Sequence, residues 1–220
     1  MNSSVVRLIT VVSLVAFVLQ AGCSSVLAPR PDMTRFYLLT PLSEMEGSGT
    51  ALPDEPALGS LSLGLGPIEL PGYLDREHLV TRVAPNRVDV ADSEMWAEPL
   101  GAGFNRVLTE NLGSLLGTRE IGGYPLSGAR PDYEVQIDVV RFEPTADHSA
   151  DLLAHWSLKN GKTREVLLSR SATVKLAARS ADAAGSVGAL SEALGQLSIQ
   201  IAGAIRQVHS QMAYERPRGP

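Results

Sequence analysis

Tyr133-Glu134-Val135-Gln136-Ile137-Asp138-Val139 alternates apolar and polar side chains without a break. Successive strand residues point to opposite faces, so Tyr133, Val135, Ile137 and Val139 share one side that must be covered. A second alternating run lies at Leu152, Ala154, Trp156 and Leu158. Asn160-Gly161 comes directly after it and predicts a two-residue hairpin turn, because both residue types tolerate positive φ. Val166–Ser169 and Thr173–Ala177 then complete a meander of antiparallel strands.

Toward the N-terminus, Leu61, Leu63 and Leu65 alternate with small polar residues and predict a half-buried strand over Ser60–Leu65. Beyond it the chain is punctuated by Pro67 and Pro71, Gly72–Glu77 reads as one helical turn, and Leu79–Val83 and Arg87–Val90 read as strands joined by Ala84-Pro85-Asn86. Arg35–Leu39 reads as the first strand, ended by Pro41, while Ser43–Gly59 and Gly122–Pro131 have loop composition. Asp92 or Ser93 can cap a helix, although Pro99 suits a first turn and moves the start toward Glu98. Leu100, Phe104, Leu108, Leu112 and Leu115, with Val107 and Leu116, form a stripe at helical spacing that ends at Gly117. Val187, Leu190, Leu194, Leu197, Ile201, Ile205 and Val208 form a longer one, with Ala189, Ala193, Ala202 and Ala204 permitting close approach. These elements predict an α+β fold: a single mixed, largely antiparallel sheet with two main amphipathic helices on one face.

The 220 residues carry a formal net charge of −5 and one cysteine. An acidic chain lacks the Lys and Arg that neutralise phosphates, which argues against nucleic acid as a partner. A lone cysteine excludes an intramolecular disulfide framework and a Cys-based zinc site.

That cysteine, Cys23, comes after an apolar stretch over Leu8–Leu19 and the small residues Ala21 and Gly22. A spanning helix needs ~20 apolar residues, so the stretch is too short to cross a bilayer and suits a secretory leader. The order resembles a bacterial lipoprotein signal, in which the cysteine is acylated and becomes residue one of the mature chain. Gln20 stands where such signals usually carry Leu. Ordinary cleavage after Ala21 or Gly22 would instead leave a free thiol, and its place directly behind the leader is what lipidation explains. Loss of residues 1–22 removes Arg7 and no acid, moving the charge from −5 to −6. Anionic lipid would repel such a body, so the acyl group must hold it. Ser24–Asp32, with Pro29 and Pro31, would be a tether of about 28–32 Å when extended. By the same resemblance, Ser24 rather than Asp after the cysteine points to the outer membrane.

The expected organisation is a signal peptide over 1–22, a lipidated tether over 23–33, a folded domain over 34–213 and a disordered tail over 214–220. No catalytic constellation is legible. His148 and His155 lie an odd number of residues apart and would leave one strand on opposite faces, which disfavours a metal site. Gly47-Ser48-Gly49 lacks the strand–turn–helix context of a nucleophile elbow, and Gly64-Leu65-Gly66 lacks the third glycine of a dinucleotide site. No cofactor is expected.

Two segments exceed what a scaffold requires. Tyr73, Leu74, Asp75 and Arg76, with Arg82 nearby, place an aromatic beside arginines in a Pro/Gly-bounded turn, a composition favoured at interface hot spots. The same residues could simply cover a sheet edge and pair locally. Trp96 is either a further binding residue or a staple between the helix start and the sheet.

The run Leu65–Arg82, then Asn86-Arg87-Val88, Met95–Leu100 and Phe104–Leu116, resembles the PqiC/YmbA-type lipoproteins, the ABC-type transport auxiliary lipoproteins. Tyr73-Leu74-Asp75-Arg76 and Trp96-Ala97-Glu98-Pro99-Leu100 are its most specific blocks. The resemblance implies a non-enzymatic subunit anchored in the outer membrane by acylated Cys23, serving an MCE-type lipid transport system and envelope integrity. It implies an MCE-domain protein as partner and a ring of copies as the assembled form. A lipid-binding carrier with an apolar groove for phospholipid, and an envelope hydrolase, are the alternatives.

Overall fold

The computed structural model describes residues 33–45, 56–123 and 130–215, and the chain divides into a unit over Met1–Met33 and a second over Thr34–Pro220. Cys23, the leader, the tether up to Asp32, and parts of the Ser43–Gly59 loop, the Gly122–Pro131 loop and the 214–220 tail lie outside the described residues.

The strands form two sheets, where the sequence predicts one. The first has three strands, β1 (Arg35–Tyr37), β3 (His78–Ala84) and β4 (Arg87–Trp96), in the order β1-β4-β3, with β1 parallel and β3 antiparallel to β4. The second has five, ordered β5-β2-β6-β7-β8: β2 (Leu63–Glu69), β5 (Ile121–Gly123), β6 (Tyr133–Pro144), β7 (Ala150–Asn160) and β8 (Val166–Leu176). β2 runs parallel to β5 and β6, and β6, β7 and β8 are antiparallel. Among the described residues the sheets meet at one backbone bridge, Arg82 to Thr145. Pro144, directly before Thr145, has no N–H to donate and cannot extend that bridge into a ladder.

Helix α1 (Leu100–Leu116) and helix α2 (Ala183–Glu215) pack on each other and against the second sheet. Every member of the α1 stripe is buried, as are the α2 residues from Val187 to Ile205 in that helix's stripe, facing Tyr133, Val135, Ile137, Val139, Leu152, Ala154, Trp156 and Leu158 from the sheet. Each fully buried large aliphatic side chain stabilises by about 1.5–3 kcal/mol. Phe104 and Phe142 meet edge to face, with ring centroids 5.1 Å apart. Between the helices Asn111 donates to Ser198 Oγ at 3.1 Å and accepts from the Leu42 N–H at 2.8 Å. A buried amide is thereby satisfied at both ends.

Local predictions fail where tertiary context decides. Asp92 and Ser93 lie inside β4, and Pro99 is the residue before α1. The strands expected over Val166–Ser169 and Thr173–Ala177 are one continuous strand that ends at Leu176. The Asn160-Gly161 turn is a longer loop, since β8 starts only at Val166. Asn160 Oδ1 accepts the Lys162 and Thr163 N–H groups at 2.9 and 3.1 Å, and Arg164 takes the positive φ of 66°. Gly161 is needed for space: a Cβ there would overlap the Pro131 carbonyl oxygen. Gly161→Ala is therefore expected to cost about 1–3 kcal/mol through forced backbone displacement, read as a lower urea midpoint.

Three carboxylates are held below the usual aspartate range. Asp182 accepts the Gly185 N–H at 2.7 Å and so caps α2, with Ser180 Oγ also donating. Asp147 is bound by Thr145 and Ser149. Burial raises Asp132, but donors from Ser62 and Lys162 outweigh it and leave it lowered. Lowered folded values mean stability that is present above the unfolded aspartate value of about 3.9 and is lost as pH falls through the folded values. Thermal midpoints are expected to hold between pH 7 and about 5 and to decline below about 4. Asp182→Asn, which keeps a capping oxygen, should make that decline shallower.

Candidate docking surface

The turn singled out in the sequence is a short 3-10 segment, Gly72–Leu74, closed by the Leu74 N–H to the Pro71 carbonyl at 2.9 Å. It splits the predicted residues into two groups. Leu74 is buried in the core, while Asp75 and Arg76 face solvent.

Tyr73 and Arg82 converge on Glu143, a β6 residue that sequence reasoning missed. Tyr73 OH donates to Glu143 Oε2 at 2.9 Å, and Arg82 Nε donates to Oε1 at 2.6 Å. Arg82 Nη2 donates to Tyr73 OH at 3.0 Å, its Nη1 to the Pro85 carbonyl at 3.2 Å, and its guanidinium lies 5.6 Å from the Tyr73 ring centroid. The Phe142 N–H completes the set on Oε2 at 2.9 Å. The Glu143 side chain is 0% exposed, so the ion pair works with little competition from water. Burial, with Glu143 accepting its proton, pushes the Tyr73 hydroxyl up; the bond to Glu143 raises the Arg82 guanidinium further. These two residues thus join the turn and β3 of the first sheet to β6 of the second. No local pattern announces Glu143: a register shift between Val139 and Arg141 changes which residues face the core.

Asp75, Arg76 and Trp96 line a single groove of about 590 Å³ with Phe36, Glu77 and Pro99. Trp96 is 7% exposed and forms its floor, held by its backbone N–H to the Glu77 carbonyl at 2.6 Å. Phe36 is 62% exposed on its rim. Arg106 fixes the far wall, donating to Glu98 Oε1 from Nε and Nη2 at 3.1 and 2.8 Å and to the Leu39 carbonyl at 3.0 Å. An apolar floor and rim with mixed charges around it suit a protein surface.

A second feature lies on the other face of the five-stranded sheet. Asp138, His155 and Ser171 stand opposite one another across β6, β7 and β8, with His155 Nδ1 2.8 Å from Ser171 Oγ. The three are exposed, and Asp138 is His155's cross-strand neighbour rather than its hydrogen-bond partner. Water on an open sheet face competes for each group, so the row lacks the oriented, water-excluded base that hydroxyl activation needs. His148 bonds Ser186 at 3.1 Å, away from His155. Among the described residues no three His, Cys, Asp or Glu side chains converge as a metal site, and no helix is long and apolar enough to cross a membrane.

A family model described as an ABC-type transport auxiliary lipoprotein component matches residues 37–202. No curated protein matches. A crystal structure of a Xanthomonas campestris protein of family DUF330 is similar at TM-score 0.67 and 20% identity, over 82% of this chain and 99% of that one. An uncharacterized protein is similar at TM-score 0.63 and 20% identity, over 78% and 98%. A PelC dodecamer from Paraburkholderia phytofirmans reaches TM-score 0.37 at 13% identity, over 66% and 88%.

Proposed function

The chain belongs to the ABC-type transport auxiliary lipoprotein family, and from that premise we propose that it is an outer-membrane-anchored docking subunit of an MCE-type lipid transport system. Acyl chains on Cys23 hold the domain at the inner leaflet of the outer membrane. The groove at Asp75, Arg76, Trp96 and Phe36 meets the MCE-domain protein or a sister copy. The family is one of transport auxiliaries rather than enzymes, and the domain acts through contacts rather than bond-making.

The observation that carries this reading is the groove itself. It gathers three of the six predicted partner-binding residues, Asp75, Arg76 and Trp96, beside an exposed phenylalanine. Tyr73, Leu74 and Arg82 support it from below. A pull-down from envelope extract is expected to recover an MCE-domain protein, and Arg76→Glu with Phe36→Asp is expected to reduce that recovery at least tenfold. Recovery of no such protein at low and moderate salt would end the proposal.

The carrier alternative has less behind it. Leu63, Leu108, Phe142, Leu152, Leu194 and Leu197 fill the space between sheet and helices and are fully buried. Native mass spectrometry of the full chain is expected to show no phospholipid beyond its own acyl groups.

A further inference from the structure

We propose that His209 and Met212, gathered on the Tyr133 hydroxyl near the C-terminal end of α2, form a binding site for a soft monovalent cation, Cu(I) or Ag(I). The site uses none of the residues assigned to the groove and is independent of the docking reading.

His209 and Met212 stand three residues apart on α2, so the helix stacks them one above the other on a single face. That face meets the first residue of β6. Tyr133 OH lies 3.3 Å from His209 Nδ1 and donates to Met212 Sδ at 3.6 Å. The tyrosine and imidazole rings meet edge to face, with centroids 6.1 Å apart. Nitrogen and sulfur are therefore no farther apart than those two lengths end to end, and the long methionine side chain can close the gap by rotation.

The three groups satisfy one another in a single arrangement. His209 Nδ1–H donates to the tyrosine oxygen, and the tyrosine O–H donates to sulfur. A thioether is a weak acceptor, so the second bond is a poor one. A cation replaces it with coordination from the ring nitrogen and from sulfur. The cluster opens onto a cavity of about 150 Å³, walled also by Asp132, Asn160 and Lys162. Lys162, the one lysine or arginine on that wall among the described residues, is held by Asp132 Oδ1 at 3.3 Å. Arg206, one turn earlier on α2, is turned to the Pro56 and Leu115 carbonyls. The cavity thus admits positive charge, and His209 and Met212 are half-buried beside it.

Donor softness sets the class of ion. Thioether sulfur selects Cu(I) and its analogues, whereas calcium and magnesium take oxygen ligands. Structural zinc takes four strong donors, usually with thiolates. Here the nearest carboxylate, Asp132, is engaged by Ser62 and Lys162. One nitrogen and one sulfur match the low coordination number of a monovalent d¹⁰ ion. Binding would clasp the last turns of α2, where Gln207, Ser210, Gln211 and Ala213 face solvent, to β6.

The test is titration of the mature full chain in non-ionic detergent and nitrate buffer with Ag(I), the redox-inert stand-in for Cu(I), followed by NMR of methionine methyl groups. The Met212 methyl is expected to shift with the first equivalent while those of Met33, Met45 and Met95 stay in place. Zn(II) is expected to leave it unmoved. His209→Ala and Met212→Leu, the latter conserving volume and helix propensity, should each weaken binding at least tenfold. Amides in the last two turns of α2 should exchange at least tenfold more slowly in the silver-loaded parent and show no such slowing in Met212→Leu. An unmoved Met212 methyl, an equal response to Zn(II), or affinity unchanged in both variants would overturn the proposal. A free Cys23 thiol would also take up silver, but without moving Met212, so failure of the lipid anchor and failure of this site give different spectra.

Discussion

Glu143→Ala is expected to be among the most damaging single changes in this chain, costing about 3–5 kcal/mol of stability. The substitution removes the only charge facing Arg82 in the cluster, the acceptor of Tyr73 OH and the acceptor of the Phe142 N–H. The Arg82 side chain is 23% exposed, so water recovers part of the loss and the lower end of that range is expected. Glu143→Gln keeps the volume and one acceptor oxygen and should fall between. Pairing Glu143→Leu with Arg82→Met should cost less than the two single changes summed, because no charge is then left buried without its partner, although Tyr73 OH and the Phe142 N–H still lose their acceptor. Breaking the exposed Arg35–Glu94 pair offers the contrast, at about 1 kcal/mol or less. Alkaline titration gives an independent check. Tyr73 has a raised folded value, so its contribution is complete below pH about 10 and is lost as pH rises through that value. A urea midpoint unchanged in Glu143→Ala would mean that the two sheets are held together by other means.

Cys23→Ala is expected to move the protein from the membrane fraction to the soluble periplasm. Each buried methylene contributes about 0.8 kcal/mol, and two acyl chains make attachment stable where one is marginal. Among the described residues no helix is long and apolar enough to cross a membrane. Mass determination of the mature N-terminus should show an acylated Cys23 in the parent and an uncleaved or differently cleaved leader in the variant. Persistence of Cys23→Ala in the membrane fraction, or a free thiol in the parent, would rule out the lipid anchor.

The parts of the fold legible in the sequence are those governed by short-range periodicity. The Leu100–Leu116 and Val187–Ile205 stripes and the alternation at Tyr133–Val139 turn their apolar faces inward. Two things escaped. Glu134 reads as a solvent-facing residue, yet it is buried beneath Arg164 and Gln136, because what lies over a sheet face is set by distant loops. The division into two sheets depends on whether β3 continues alongside β6, a pairing between segments some sixty residues apart that Pro144 interrupts. The same distance hid Glu143 from the site. Tyr73 and Arg82 stood out by composition, but their common partner is reached only through the fold. Asp182 was missed as well, although an aspartate three residues before Gly185, ahead of the apolar stripe, carries the N-cap signature.

The attachment of β1 bears on how the domain answers tension. A pull arriving through the chain before Thr34 meets a strand paired over just three residues, Arg35 to Tyr37. Immediately beyond, the Leu39 carbonyl, the Thr40 N–H and the Leu42 N–H are held by Arg106, Ser191 and Asn111 on the two helices. Under the proposed anchoring, release of Thr34–Leu38 would free about 17 Å of chain, at about 3.4 Å per residue, before load reaches the helices. With the chain anchored at Cys23 as proposed, such a release would be elastic slack, letting the domain follow a moving envelope without surrendering its core.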